Sequence, residues 1–147
     1  MAAHEVPAPN AHPDYGYFDH DADVGLIGRG PTLEAAFEAA ATGLFALMVD
    51  VAAVRPRERV AFVFEEADPE LALVEWLNRL LAEARSRGLV FGRFRLRRQG
   101  DRWQGEAWGE PWRAGLEPGV EVKGATLTML AVRQEPQGWE ARCVVDV

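Results

Sequence analysis

The chain has 147 residues, of which 48% are hydrophobic, a length and composition typical of a single globular domain. It has no apolar run of eighteen residues, which excludes a helical membrane span on length grounds. The formal charge of −7 lies in the N-terminal third of the chain. Residues 1–50 carry eight acidic residues and one arginine, whereas residues 51–147 carry fifteen acidic and fifteen basic residues. This acidic N-terminal part would repel a phosphate backbone, so we expect no direct nucleic-acid binding. Cations or a basic protein surface are better partners for it.

Residues 1–14 contain four alanines, three prolines and no apolar block, which is typical of neither a signal peptide nor a transit peptide. We therefore expect a flexible tail over residues 1–14 and one domain over residues 15–147. The single cysteine, Cys143, has no partner for an internal disulfide, and its apolar neighbours predict a buried strand position. These features predict a cytoplasmic protein that does not enter a membrane.

Apolar periodicity and turn signals predict two helices and about seven strands. The first helix follows the N-cap Thr32 and continues to about residue 49, and the second begins at Asp68-Pro69 and ends at Gly88. The strands are expected at residues 15–18, 24–28, 58–66, 89–98, 102–112, 120–134 and 139–147. Since helices and strands do not alternate regularly, the order predicts an α+β sandwich, with two helices packed on a mostly antiparallel sheet.

The turn between the first two predicted strands is crowded with acidic groups. Its ionisable residues are Asp19, His20, Asp21 and Asp23. Like charges this close repel one another, and a divalent cation with oxygen ligands would relieve the repulsion. An EF-hand loop is excluded, because its sixth residue would be Val24 and its twelfth Gly30 instead of glycine and glutamate. A solvated acidic turn explains the cluster as well as a metal site does.

The predicted hairpin at the end of the chain supplies a geometric argument. We take Gln134 to face Trp139 across the turn, and the same register places Asp146 opposite Leu127. Lys123, the only lysine of the chain, has the same parity as Leu127. This register predicts that Lys123 and Asp146 project from the same face of the sheet.

Asp146 is followed only by Val147, whose terminal carboxylate would lie beside the Asp146 side chain. Two carboxylates on adjacent residues would chelate a cation, and Asp23 would complete the site. A frayed and solvated terminus is the alternative interpretation of Asp146.

Several short motifs occur together in a fixed order along the chain. They are His20-x-Ala22-Asp23-Val24-Gly25, Thr32-Leu33-Glu34-x-Ala36-Phe37, Gly43-Leu44-Phe45, Leu73-Val74-Glu75-Trp76-Leu77-Asn78, Gly88-Leu89-Val90-Phe91, Gly109-Glu110-Pro111, Glu121-Val122-Lys123-x-x-Thr126 and Asp146-Val147. Each motif is short, but the ordered set, from about residue 15 to the end, resembles the archease family.

The resemblance implies a single α+β domain that is not an enzyme and has no catalytic residue of its own. Archeases assist the tRNA-splicing ligase of the RtcB type, which joins a 2′,3′-cyclic or 3′-phosphate RNA end to a 5′-hydroxyl with GTP and manganese. They promote guanylylation of the ligase's active-site histidine and so allow multiple turnover in tRNA splicing and RNA repair.

Matching positions imply a divalent metal, calcium, magnesium or manganese, held by Asp23, Asp146 and the terminal Val147. Lys123 would be the essential basic residue beside the metal, and His20 and Asp21 are accessory candidates. Two positions depart from the family pattern: Asp21 replaces the usual threonine, and Leu127-Thr128 replaces the usual aromatic-histidine pair.

Two other functions remain open at this point. The first is a general chaperone or protein-interaction module that would use apolar sheet surface instead of the acidic residues. The second is a small metal-dependent hydrolase with a metal at Asp23 and Asp146, for which His20 is the only nearby imidazole.

Overall fold

The computed structural model describes residues 5–6 and 14–147, which form two α-helices, one short 3-10 helix and nine strands. In chain order they are β1 Glu5–Val6, β2 Tyr15–His20, β3 Asp23–Gly30, α1 Leu33–Ala46, the 3-10 helix Val51–Ala53, β4 Glu58–Glu65, α2 Pro69–Arg87, β5 Leu89–Gln99, β6 Arg102–Pro111, β7 Gly124–Ala125, β8 Ala131–Glu135 and β9 Gly138–Asp146. The α+β class with two helices and antiparallel strands is confirmed. Most of the predicted tail, residues 1–4 and 7–13, lies outside the described residues.

The strands form two sheets, where the sequence predicted one. The larger sheet has the order β1-β2-β3-β9, and β9 pairs on its far side with β8 and then with β7. The smaller sheet has the order β4-β6-β5. Every strand pair within the described residues is antiparallel. Nine strands replace the predicted seven, because β1 is added and the predicted strand at residues 120–134 is divided into β7 and β8.

The prediction of one continuous strand at residues 120–134 is wrong, because residues 126–130 leave the sheet. Ala131 is six positions after Ala125 in the sequence, but their partners Arg142 and Val145 on β9 are only three positions apart. Met129 adopts a positive φ of 52° within this excursion. A shift by an odd number of residues reverses which residues share a sheet face. The register that placed Lys123 and Asp146 on the same face therefore does not hold beyond the excursion.

Helix α1 packs between the two sheets. On the side of the larger sheet, Gly28 allows close approach, since a Cβ atom there would lie 2.3 Å from the carbonyl oxygen of Ala36. On the side of the smaller sheet, the Phe37 ring stacks on Trp103 of β6, with ring centroids 5.5 Å apart. The apolar side chains of both sheets and both helices consequently form one continuous core.

Helix α2 has the predicted boundaries. Asp68 accepts the N–H of Glu70 at 2.9 Å, Pro69 opens the helix, and Gly88 ends it with a φ of 66°. Trp76 is fully buried and donates its indole N–H to a carbonyl of α1 at 2.9 Å, which fixes the two helices together. Neither helix of the described chain has the length and apolar character that a membrane crossing requires.

Candidate functional site

Asp23 and Asp146 are neighbours across the paired strands β3 and β9. The register of this pair, extended by one residue beyond its last pair, places Asp23 beside Asp146. On either side, His20 of β2 faces Asp23, and Gly124 of β7 faces Asp146. Facing residues of antiparallel strands have Cβ atoms about 4.5–5.5 Å apart and share a face. The four residues therefore form one row across the end of the larger sheet, and we call it the acidic row (His20, Asp23, Asp146 and Gly124).

An apolar floor adjoins the acidic row on the same face of the sheet. Phe18, Ile27 and Val144 form a buried cluster in which each residue is at most 2% exposed. Gly25 lies beside this cluster, and a Cβ atom there would come within 2.2 Å of the Phe18 ring. The glycine two positions after Asp23 is thus required for packing against the Phe18 ring.

The five-residue cluster from Asp19 to Asp23 does not converge on one point. Asp19 lies one residue before His20 on β2, so strand alternation places it on the opposite face from the acidic row. Asp21 lies in the turn with a positive φ of 50°, a conformation that aspartate tolerates better than most residues, and it is exposed. Of the cluster, only His20 and Asp23 belong to the row.

His20 has an unusual environment. Its Nδ1 atom is shielded from solvent and has no hydrogen-bond partner among the described residues. Buried polar atoms normally have a partner, so this unsatisfied imidazole nitrogen makes His20 a candidate ligand of the row.

The donor types of the acidic row suit a divalent cation. Two carboxylates provide the oxygen ligands that calcium, magnesium and manganese prefer, and the imidazole of His20 suits transition metals. Within the ranges that the structure describes, no three side chains of histidine, cysteine, aspartate or glutamate are gathered as a metal cluster. The row therefore offers ligands of the right chemistry without forming a closed cage.

Lys123 lies beside the acidic row, but not in the predicted arrangement. Gly124 faces Asp146 in place of Leu127, so the predicted register is wrong, and the excursion at residues 126–130 is the cause. The backbone N–H of Lys123 donates to the carbonyl of Asp146 at 2.7 Å. The Lys123 side chain is exposed, and no carboxylate in the described part of the chain forms an ion pair with it. Val147 is half-buried and packs against the main core.

Thr126 explains why the chain leaves the sheet after β7. Its hydroxyl donates to the carbonyl of Val144 at 2.8 Å, and its backbone N–H donates to the same oxygen at 2.9 Å. The N–H of Val144 then donates to the carbonyl of Thr128 at 3.0 Å. These bonds replace regular strand pairing at this point of β9.

Two polar residues of α2 hold the strand that flanks Asp146. The Asn78 side chain donates to the carbonyl of Ala125 at 3.1 Å and accepts its N–H at 2.8 Å. The Arg85 guanidinium donates to the carbonyl of Lys123 at 3.0 Å and also to that of Val122. Asn78 and Arg85 are two helical turns apart and so lie on the same side of α2. Sequence reasoning gave neither residue a role, although two polar residues at helical spacing beside an apolar face were a usable signal.

The fold and the acidic row together define a small α+β domain with two neighbouring carboxylates at one end of the larger sheet. The model of the archease protein family matches residues 15–147. Protein archease of Thermococcus gammatolerans is 42% identical over 137 residues, which cover 89% of this chain and 96% of the relative. For protein archease of Methanosarcina acetivorans, identity is 30% over 146 residues, which cover 95% and 99% of the two chains. The solution structure of Methanobacterium thermoautotrophicum protein 1598 matches with a TM-score of 0.77 and 28% identity, over 91% of this chain and 99% of that one.

The chain therefore belongs to the archease family.

Proposed function

We propose that this protein is a non-catalytic cofactor of an RtcB-type RNA ligase, and that it promotes guanylylation of the ligase and multiple turnover in tRNA splicing and RNA repair. Membership in the archease family supports the proposal. The observation that carries it is the acidic row, in which Asp23 from the front of the chain lies beside Asp146 from its end.

The proposed metal ligands are the side chains of Asp23 and Asp146 and the terminal carboxylate of Val147. The adjacent strands β3 and β9 bring Asp23 and Asp146 together, and Val147 follows Asp146 in the sequence. His20 is the accessory ligand, because its Nδ1 lacks a partner within the described residues. The exposed Asp21 belongs to the acidic surface that the partner contacts. Calcium, magnesium and manganese all accept such oxygen ligands, and a bound ion would supply positive charge that offsets the repulsion of the carboxylates.

Lys123 is the proposed basic residue of the site. Its backbone is fixed to Asp146, whereas its side chain extends into solvent. An ammonium group on a flexible stem suits contact with a phosphate, here a nucleotide phosphate in the ligase. Negative charge in the acidic row complements the basic nucleotide site that such a ligase requires, which favours encounter between the two surfaces.

Exposed apolar side chains flank the site and suit a protein partner. Leu127 is 63% exposed and Met129 is 42% exposed, and both lie in the excursion next to β9. Methionine and leucine at an interface core bury apolar area on binding. This exposed apolar surface supports a ligase contact beside the acidic row.

A guanylylation assay tests the proposal. Ligase is mixed with manganese, radiolabelled GTP and the protein, and the label bound to the ligase is measured over time. Asp23→Asn and Asp146→Asn should lower the rate to that of the ligase alone, and Lys123→Ala should do the same. Asp101→Asn is the matched control, since it removes an exposed carboxylate from the turn between β5 and β6. Stimulation at the wild-type rate by both row variants would show that the acidic row does not act on the ligase.

A further inference from the structure

The outer face of the smaller sheet is basic, although the protein as a whole is acidic. Residues alternate along β4, β6 and β5, so that one face packs on the core and the other faces solvent. The charged residues of the outer face are Arg59, Arg93, Arg95, Arg97, Arg102, Glu65 and Glu106. Five arginines against two glutamates leave an excess of positive charge. The acidic residues among residues 14–50 lie instead on the larger sheet, on α1 and in the adjoining turns.

Arg93, Arg95 and Arg97 form a line along β5, which is an edge strand of the sheet. Alternate residues of a strand are about 6.6–6.8 Å apart, so the three guanidinium groups repeat evenly along the edge. All three side chains are exposed, and none forms an ion pair with a carboxylate of the described residues. Arg59, in contrast, is paired with Glu106 at 2.6 Å. We call the three unpaired residues the arginine track.

Glu106 of β6 faces Arg95 in the register of the strand pair but is paired with Arg59. The other acidic group near the track is Glu38 of α1, since Arg95 contributes to the electrostatic environment of its carboxyl. Its Oε2 atom accepts the backbone N–H of Leu96 at 2.8 Å. That bond directs the carboxylate to the backbone of β5 and leaves the Arg95 side chain exposed to solvent.

An aromatic residue and a shallow groove lie beside the arginine track. Trp108 of β6 is half-buried and stands in one row with Arg59 and Arg93. In the part of the chain that the structure describes, no arginine covers its ring. The small side chain of Ala61 lines a groove of about 550 Å³, whose other lining residues include Arg95, Arg97, Gln104 and Glu106. An uncovered ring and polar groove walls can receive a flat, hydrogen-bonding group.

We propose that this face binds single-stranded RNA, with phosphates on the arginine track and a base against Trp108. Guanidinium groups bind phosphate oxygens in pairs, and aromatic rings on a sheet face stack unpaired bases. An acidic protein surface would also pair with the arginines, but such a partner would not account for the uncovered Trp108 ring or for the groove. The proposal differs from the expectation based on net charge, because that charge is unevenly distributed over the surface. It also does not depend on ligase activation, since the acidic row lies on the other sheet.

Fluorescence anisotropy of a labelled oligoribonucleotide of about ten nucleotides tests the proposal. The double variant Arg95→Gln/Arg97→Gln is compared with Arg87→Gln/Arg133→Gln, which removes the same charge from exposed positions on α2 and β8. Each lost phosphate contact should reduce the slope of log K against log salt concentration by about 0.7, so the track variant should lose roughly 1.4. The control should bind like wild type. All substituted arginines are exposed, and circular dichroism checks that each variant folds.

A second variant separates base stacking from charge. Trp108→Ala should weaken RNA binding by roughly five- to one-hundred-fold and leave the binding of inorganic polyphosphate unchanged. Equal losses for both probes would overturn the stacking contact. Absence of RNA binding by the wild type, or equal binding by track variant and control, would overturn the proposal as a whole. Sedimentation velocity covers a third outcome: if the track substitutions instead dissociate a dimer and RNA is not bound, the face is an interface between copies.

Discussion

Replacing Asn78 with alanine should loosen β7 and with it the strand end that carries Asp146. The substitution removes two hydrogen bonds to Ala125, of 2.8 and 3.1 Å. Each is worth about 0.5–1.5 kcal/mol net, so the free energy of unfolding should fall by about 2 kcal/mol. Asn78 is half-buried, so water partly replaces the lost partners and the upper limit is not reached. For a chain of this size the loss corresponds to a decrease in Tm of roughly 4–8 °C.

Urea unfolding followed by tryptophan fluorescence measures this change, since the chain has five tryptophans. Asn78→Asp keeps an acceptor for the Ala125 N–H but sets an unpaired carboxylate oxygen against the Ala125 carbonyl, so at neutral pH it should not recover the loss. Glu75→Ala is the control on the same helix, because Glu75 is exposed, and it should stay within about 0.5 kcal/mol of wild type. An unchanged urea midpoint for Asn78→Ala, with an unchanged m-value, would refute the view that α2 holds β7 through this side chain.

Three further predictions concern ionisable groups. The Arg113 guanidinium and the backbone N–H of Arg55 lower the pKa of Glu110, so its stabilising effect is present above the ordinary pKa of 4.5 and is lost as the pH falls through the folded value. Glu110→Gln should therefore lower the urea midpoint at neutral pH and approach wild type in acid. Burial raises the pKa of Glu38, which reverses the sign: Glu38→Gln should raise the midpoint at neutral pH, and the gain should vanish as the pH falls. Burial also raises the pKa of the Cys143 thiol to about 12, so a thiol reagent should modify Cys143 only as fast as the protein unfolds; rapid reaction in the native state would show that β9 opens.

The elements that depend on local chemistry were predictable from the sequence. Helix α2 begins at Asp68-Pro69 and ends at Gly88, and these residues act through their own backbone preferences and caps. The turn between β5 and β6 likewise forms at Gly100, which has a φ of 62°. Each such signal is contained within a few residues of sequence.

The elements that depend on distant contacts were not predictable. Residues 126–130 contain neither glycine nor proline, and the excursion there is held by bonds between Thr126, Thr128 and Val144. Nothing local distinguishes this segment from a continuous strand. Division into two sheets has the same origin, because it depends on which strands pair across the fold.

The candidate site combines features that the sequence predicted with features that depend on distant contacts. Asp23 and Asp146 lie together because β3 pairs with β9, whereas the sequence argument depended on the terminal hairpin, whose register differs near Lys123. The roles of Asn78 and Arg85 were missed because both bind backbone carbonyls or amides, and such bonds leave no pattern in the partner sequence. Metal binding by the acidic row stays a prediction.

A multiple-turnover ligation assay tests the central claim most directly. An RtcB-type ligase is supplied with GTP, manganese and an excess of RNA ends, and ligated product per ligase molecule is counted with and without this protein. Wild type and Asp101→Asn should carry the ligase beyond a single turnover, whereas Asp23→Asn and Asp146→Asn should leave it at a single turnover. Equal product with the row variants and with wild type, or no gain from wild type, would contradict the account.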